Sequence, residues 1–534
     1  MAAIITDGFR RNAAQVFVND ITAGNGPYYM GIGKSDPYDS QSGVDEDNAS
    51  FVLSQPVASK REEINVLNNL TTINKVGTSS AYRLVPRINF ATGKKYKIYD
   101  PGDANCFFAE GDLLPCMVMN SDREIFLVLD NGKTTGDPQT TVTGDTPVAT
   151  ATGNDIITST ATSGEKNGLI VKGNYRYAYI CTLNRDSGFF TNQFAAIGAI
   201  GSTPVVNTAY AVGAGPDDST GGLIYGFAID DGGTGYTGTP TVKIRGRKYN
   251  TTDNKVENFT STPSVSISET GGVIKHITIA LVDGDIPRDL IGVIAADVVI
   301  SGGGGSGAVV RPLIAPLEGF GGDILNQLPT YYAGVKAEFE DDLSGDGLII
   351  PFRQISLIRG ASFATDAGDT PDDAAYAAGD VAKALRYLSG VATDPSLTPG
   401  DLIWDNDSDA TTYASADLAD SDDNAVAIFD HYDATLDRVY YHQNNDSTVD
   451  QAHVNTLEFD GVGTVYLGHK NQTSTPVSYA QFNYAEYSAF KESNVEDSQN
   501  EFGKQNGEVL FIENRKKVTR AADQIEEVRM IIQF

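Results

Sequence analysis

Apolar positions along this chain fall in short runs between turn-forming stretches, and most runs suit strands better than helices. Two of them, Val509–Leu510–Phe511–Ile512 and Val528–Met530–Ile531–Ile532, flank a span rich in Arg, Lys and Glu. A chain that closes on Met, Ile, Ile and Phe534 is expected to pack that end in a sheet begun far upstream. PYYMGIGKSDPY reads as a strand closed by a Ser-Asp-Pro turn, and AYRLVPRINF, KKYKIYD, YRYAYICTL and LIIPFRQISLIRG as further strands. LLPCMVMNSDREIFLVLD reads as a hairpin about an Asn-Ser-Asp turn. After Pro329, alternation predicts another strand.

Helical text is scarcer. Phe9, Ala13, Ala14, Val16, Phe17 and Ile21 suit one buried helix face, with Asp7 as its cap. SKREEINVLNNL is a second helical piece. TPDDAAYAAGDVAKALRYLSG is a third, with Thr370 as N-cap and Pro371 at the first position. Residues 133–165, rich in Thr, Gly and Asp, read as a surface loop.

Length and turn content fit this picture. A chain of 534 residues implies roughly three or four domains, and its 55 glycines and 21 prolines favour many short strands. The expected fold is mainly β with some α. A sandwich-like or barrel-like core would be assembled from residues 1–220, 319–365 and 486–534, interrupted by a β insertion at 221–318 and an acidic α+β insertion at 366–485.

Charge narrows the function. Lys and Arg number 39 against 70 Asp and Glu, a net charge of −31. A phosphate-tracking groove needs clustered basic residues, so nucleic-acid binding is not expected. Cys106, Cys116 and Cys181 sit in or beside apolar runs and read as buried free thiols, in keeping with a reducing compartment. The first residues lack a signal-peptide core, and no apolar run approaches membrane-spanning length, so a soluble protein is expected.

Candidate chemistry is thin. Gly33–Lys34–Ser35 lacks the earlier glycine of a phosphate-binding loop, because Tyr28 stands there. Gly302–Gly305 precede strand-like text broken by Pro312, not the helix a dinucleotide site requires. Asp405, Asp407 and Asp409 match three calcium-loop positions, but Ala410 and Ala416 replace the required Gly and Glu; a solvated acidic loop is expected. His276, His431, His442, His453 and His469 show no zinc spacing, and no G-x-S-x-G elbow occurs. Carboxylate pairs suited to glycan cleavage stay open, since 70 acidic residues offer many. No enzyme, metal or cofactor is expected.

The pattern of Gly507-Glu508, Glu513-Asn514-Arg515, Asp523-Gln524, Glu526-Glu527 and Phe534 resembles the end of a phage baseplate wedge protein, the gene product eight family of T-even-type contractile tails. Phe9-Arg10 with GIGKSDPY, NYRYAYICTL, and the strand from Phe352 to Ile358 resemble the family's start, middle and late core, in the same order. The resemblance covers roughly 1–200, 323–365 and 490–534; the two insertions look like the enlargements of cyanobacterial-phage wedge proteins. It implies a largely β structural protein of the virion tail baseplate, assembled in the host cytoplasm. The protein would be a homodimer bound to other wedge proteins, with no nucleic acid and no membrane insertion. Arg353 and Arg515 are expected in core or interface ion-pair networks, or else as exposed strand-end charges; Gln354, Glu513 and Asn514 are further structural or interface candidates. The alternative is a carbohydrate-binding or depolymerising tail fibre or spike, with Tyr225, Tyr236, Trp404, Tyr413, Tyr440 and Tyr441 stacking on sugars. The repetitive text of a β-helix is absent.

Overall fold

A computed structural model describes residues 5–24, 27–35, 52–133, 169–183, 189–199, 222–282, 286–339, 351–361, 507–519 and 525–534 almost without a break, with shorter stretches at 138–147 and within 381–487. The fold is mainly β: more than half of the described residues lie in strands, in several sheets.

Helix α1 (Asp7–Ala23) buries Ala14, Val18 and Ile21, a stripe of helical spacing. Phe9 and Val16 lie on the opposite side and are 64% and 58% exposed, unlike the buried positions expected of them. The cap is Thr6 rather than Asp7: its Oγ1 accepts from Phe9 N at 3.3 Å. Asp7 instead occupies the first turn, where a negative charge complements the helix dipole.

Strands β1 (Tyr28–Gly33) and β2 (Leu70–Val76) flank helix α2 (Lys60–Asn68), whose N-cap Ser59 accepts from Glu62 N. After β3 (Ala81–Pro86) come the short parallel pair β4 (Lys95–Tyr96) and β5 (Leu113–Leu114). β6 (Met117–Met119) and β7 (Glu124–Asp130) form the expected hairpin. Asn120 closes its turn, with Oδ1 accepting from Asp122 N and Glu124 N. β8 (Leu169–Lys172) and β9 (Tyr175–Thr182) complete a sheet of order β6-β7-β9-β8, and β10 (Phe194–Ala199) pairs with β3.

The next segment supplies β11 (Ile224–Thr234), β12 (Pro240–Asn250), β13 (Lys255–Ser261), β14 (Val265–Thr270), β15 (Val273–Ile279), β16 (Val293–Gly302) and β17 (Ser306–Ile314). They pair as β11-β17, β13-β12-β16 and β14-β15. β17 runs straight through Pro312, which was expected to break it. Its only hydrogen-bonded neighbour among the described strands is β11, so the missing N–H can be tolerated on the other edge.

Downstream lie a one-turn helix, β18 (Tyr332–Phe339) and β19 (Phe352–Arg359). β20 (Val381–Lys383), β21 (Arg386–Ser389), β22 (Leu402–Asp405), β23 (Val426–Asp433), β24 (Arg438–His442), β25 (Val465–Gly468) and β26 (Ala485–Tyr487) follow, then β27 (Glu508–Val518) and β28 (Glu526–Gln533). The helix expected from Thr370 is corrected over 381–389: β20 pairs with β2, and β21 with β24 and β26. Alanine-rich text favours helix only weakly, and strand partners supplied from far along the chain override it. Residues 362–380, with Thr370 and Pro371, lie outside the described set.

The chain divides into two compact units. The first comprises 1–18, 82–334 and 531–534. Its main hydrophobic cluster joins Met117, Leu127 and Ile180 with Tyr225, Phe227, Ile277, Ile279 and Val310. Strands from 221–318 therefore share one core with β6, β7 and β9. On the other face of β7 and β9, Phe126, Tyr175, Tyr177 and Tyr179 pack with Tyr96, so YRYAYICTL is apolar throughout because both its faces are covered. Phe534 N donates to Tyr331 O, and the Phe534 ring packs on Phe17 with centroids 5.5 Å apart.

The second unit comprises 19–81 and 335–530. Its five-stranded sheet has the order β20-β2-β1-β19-β27. Tyr29 stands opposite Ile358 and Leu357 opposite Phe511. Tyr29, Leu70, Ile73, Ile358 and Ala361 form a cluster in this unit. A six-stranded sheet, β25-β22-β23-β24-β21-β26, has its own cluster of Leu388, Ile403, Ala427, Phe429, Val439 and Tyr441. Among the described residues, no helix is long and apolar enough to cross a membrane.

Candidate functional site

The five residues singled out in the sequence lie on the adjacent strands β19 and β27. Gln354 stands opposite Asn514, and its Nε2 donates to Asn514 Oδ1 at 2.9 Å. Ile355 faces Glu513, whose Oε1 accepts from Arg515 Nε at 2.9 Å. Glu513 and Arg515 are each about two-fifths exposed, so this pair contributes little stability. Arg353 is buried. Its Nη1 donates to the carbonyl oxygen of Ser35, just beyond β1.

Ser35 leads to a second group of residues. Its Oγ donates to Asp430 Oδ1, and His442 Nδ1 lies 2.6 Å from Asp430 Oδ2. Ser35, Asp430 and His442 are all buried. The backbone before Ser35 is shaped for this contact. Lys34 is left-handed, with φ of 61°, and its N donates to Asn69 O at 2.9 Å. Gly33 passes so close to β2 that an added Cβ would sit 2.3 Å from Asn69 O. The N–H after Gly33 is thus committed to another strand's end rather than to a phosphate.

Ser, Asp and His together invite comparison with a hydrolase triad, but the order is wrong. Catalysis needs imidazole between hydroxyl and carboxylate, so that it can take the hydroxyl proton. Here the carboxylate stands in the middle and receives both partners. The arrangement ties the end of β1 and the buried Arg353 of β19 to β23 and β24. A buried carboxylate with both oxygens engaged is expensive to break, on the order of 3–5 kcal/mol when one charged partner is lost.

A similar tie occurs in the first unit. Asp130, at the end of β7, lies 3.0 Å from His276 Nε2 on β15, and both side chains are over nine-tenths buried. Burial alone would raise the Asp130 pKa. The His276 hydrogen bond and charge, Arg176 and the Gly132 N–H outweigh it and hold the carboxyl below its ordinary range. Arg176 Nη1 also donates to Ile279 O at 2.8 Å, and Arg311 of β17 grips Asp100 through two guanidinium nitrogens. The segment 221–318 is therefore held to the rest of its unit by charged groups as well as by the shared core.

Ser35, Asp130, Asp430, His276 and His442 were not singled out as a set. The signal lay in the strands themselves: EIFLVLD and AVAIFD each end an apolar run on an aspartate, the mark of an acid carried into a core. Of the aromatic residues considered for sugar stacking, Tyr225, Tyr236, Tyr440 and Tyr441 are buried. Tyr225 donates to Tyr99 O at 2.6 Å, and Tyr440 stacks on His431. The Trp404 side chain, Tyr413, Asp407, Asp409, His453 and His469 lie outside the described set, as do the Asp405 carboxylate and its surroundings. The three cysteines are free and buried, and burial pushes the Cys181 thiol up to about 12. Among the described residues, no cluster of His, Cys, Asp and Glu is arranged to hold a metal ion.

Fold and site together define a mainly β protein whose buried polar groups join strands from distant parts of the chain. No family model matches the chain, and no curated protein matches it.

Proposed function

We propose that this chain is a structural subunit of a phage tail baseplate wedge, of the gene product eight type in an enlarged, cyanophage-like form. One observation carries the reading. β1, β19 and β27, drawn from residues 28–33, 352–359 and 508–518, are consecutive strands of one sheet, and all three lie in stretches that bear the family resemblance. That segments bearing the likeness stand side by side in one sheet supports reading them as parts of a single core.

In this role the protein acts without catalysis. It joins a second copy and neighbouring wedge proteins, and it transmits the baseplate's change of state by moving as a near-rigid body. The buried Arg353–Ser35–Asp430–His442 and Asp130–His276 ties suit such a role, because well-satisfied buried polar groups resist local opening.

The test is the solution mass of the purified chain by light scattering, followed by co-purification with the other tail proteins of the same genome. A dimer near twice 56.9 kDa that captures wedge proteins supports the proposal. A trimer, or depolymerisation of a host-surface glycan, would overturn it in favour of a spike.

A further inference from the structure

The three-stranded sheet β13-β12-β16 packs one face inward through Val242, Ile244, Val298, Ile300 and Phe259. Its other face is exposed, and its chemistry runs against the rest of the molecule. Along the central strand β12 the outward positions are Lys243, Arg245, Arg247 and Tyr249, all exposed. Alternate residues of a strand repeat at about 7 Å, so the three cations form a straight row of even pitch. Among the described residues, none of the three forms a salt bridge or a side-chain hydrogen bond.

The register supplies the borders of the row. Lys243 lies beside Val299, Arg245 between Thr260 and Asp297, Arg247 between Asn258 and Ala295, and Tyr249 beside Val256. Val256, Tyr249 and Val299 are 49%, 41% and 36% exposed. Three basic residues and one acid leave the face at about +2, in a chain of net charge −31. Such a concentration of unpaired arginines beside exposed Tyr and Val has the makeup of a protein interface.

We propose that this face docks the acidic face of another protein's β-sheet, with Asp or Glu at alternate strand positions meeting Lys243, Arg245 and Arg247. The argument for a protein partner over a polyanion is the border. A polyphosphate or nucleic acid gains nothing from Val256 and Val299, and a row of only three cations neutralises few phosphates. A sheet face of matched pitch ends where the row ends and covers the valines. Packing of two sheets through facing side chains is an established geometry. This inference is independent of the wedge reading, since it concerns only the chemistry of one face.

The probe is a disulfide-closed β-hairpin peptide with Glu at three alternate positions of one strand and Val at their cross-strand partners, titrated by fluorescence anisotropy into the full-length chain. Binding that weakens with added salt is expected, with a loss of about tenfold or more in the K243E/R245E/R247E variant. A smaller loss is expected in V256T/V299T. All these side chains point to solvent, so circular dichroism and melting temperature should match the parent chain and show that any loss is local. The same hairpin with Gln for Glu should bind poorly. Absence of hairpin binding, an unchanged affinity in the charge-reversed variant, or equal binding of an oligodeoxythymidylate of the same charge would each overturn the proposal, the last in favour of a general polyanion site.

Discussion

Gln354 and Asn514, 160 residues apart in the chain, face each other across β19 and β27, and their side-chain amides are hydrogen-bonded at 2.9 Å. Gln354 is buried, so its amide would not readily find water if Asn514 were removed. Asn514→Leu and Gln354→Leu should each destabilise the protein by about 1–2 kcal/mol. The double variant should cost less than the sum, by about 0.5–1.5 kcal/mol. Urea denaturation of the four proteins measures the coupling; strict additivity would show that the bond contributes nothing.

Arg353 and Asp430 should behave as one unit, because Ser35 connects them through its carbonyl oxygen and its hydroxyl. Arg353→Ala and Asp430→Asn are each expected to lower stability by about 2–4 kcal/mol. Lys at 353 should restore only part of the loss, since an ammonium cannot reproduce the guanidinium geometry. Melting temperatures of the three variants decide this, and an unchanged Arg353→Ala protein would show that the Arg353–Ser35 bond adds no stability.

The Asp130 carboxyl is held below its ordinary range, which fixes the sign of its pH effect. A depressed carboxylate contributes stability that is fully present above its unfolded pKa, near 4, and is lost as pH falls through the lower folded value. His276→Ala removes the hydrogen bond and charge that offset the cost of burial. The acid unfolding midpoint should therefore move to higher pH, while Asp130→Asn should flatten the acid limb. Acid titrations followed by tryptophan and tyrosine fluorescence test both; a His276→Ala midpoint that stays put would contradict the assignment.

All three thiols are buried, and that of Cys181 is pushed up to about 12 by burial. A thiol that is both hidden and protonated is a poor nucleophile. Ellman's reagent at pH 8 should label the native protein slowly and release three equivalents quickly in guanidinium. Rapid labelling of Cys181 in the native state would mean that its strand opens locally.

Gly33→Ala should cost at least about 2 kcal/mol. The new Cβ would meet backbone, Asn69 O at 2.3 Å and Leu70 Cα at 2.9 Å, and neither can swing aside as a side chain could. Thermal melting of the purified variant measures it, and a parent-like melting temperature would show that β1 and β2 can part without loss.

The β character of the chain and many of its strands were legible because buried strands carry dense local signals. YRYAYICTL and LIIPFRQISLIRG name themselves by composition. What local text could not show was which strand stands beside which, and there the expectations thinned. The late strands β27 and β28 were foreseen as one return to an earlier sheet, but β27 joins β19 and β28 joins β18, in two different sheets. The stretch after Thr370 reads as helix when considered alone, yet Val381–Lys383 complete the edge of β2. Phe9 and Val16 lie within helical text that is apolar on more than one side, so periodicity did not single out the side that packs. The polar ties were hidden for the same reason: Ser35 and Asp430 are 395 residues apart, and neither carries a motif.

The order of strands in the five-stranded sheet has a consequence for how the protein is made. β1 leaves the ribosome early, its neighbour β19 more than 300 residues later, and β27 about 150 residues after that. At roughly 5–20 residues per second, β1 can pair with β2 within seconds but waits tens of seconds for β19 on its other side. Until β27 arrives, β19 presents an open apolar edge, the kind of surface on which nascent chains mispair. Translation that stalls before residue 508 therefore leaves a product that cannot close this sheet, and premature termination would send the chain to chaperones or proteases instead of to assembly.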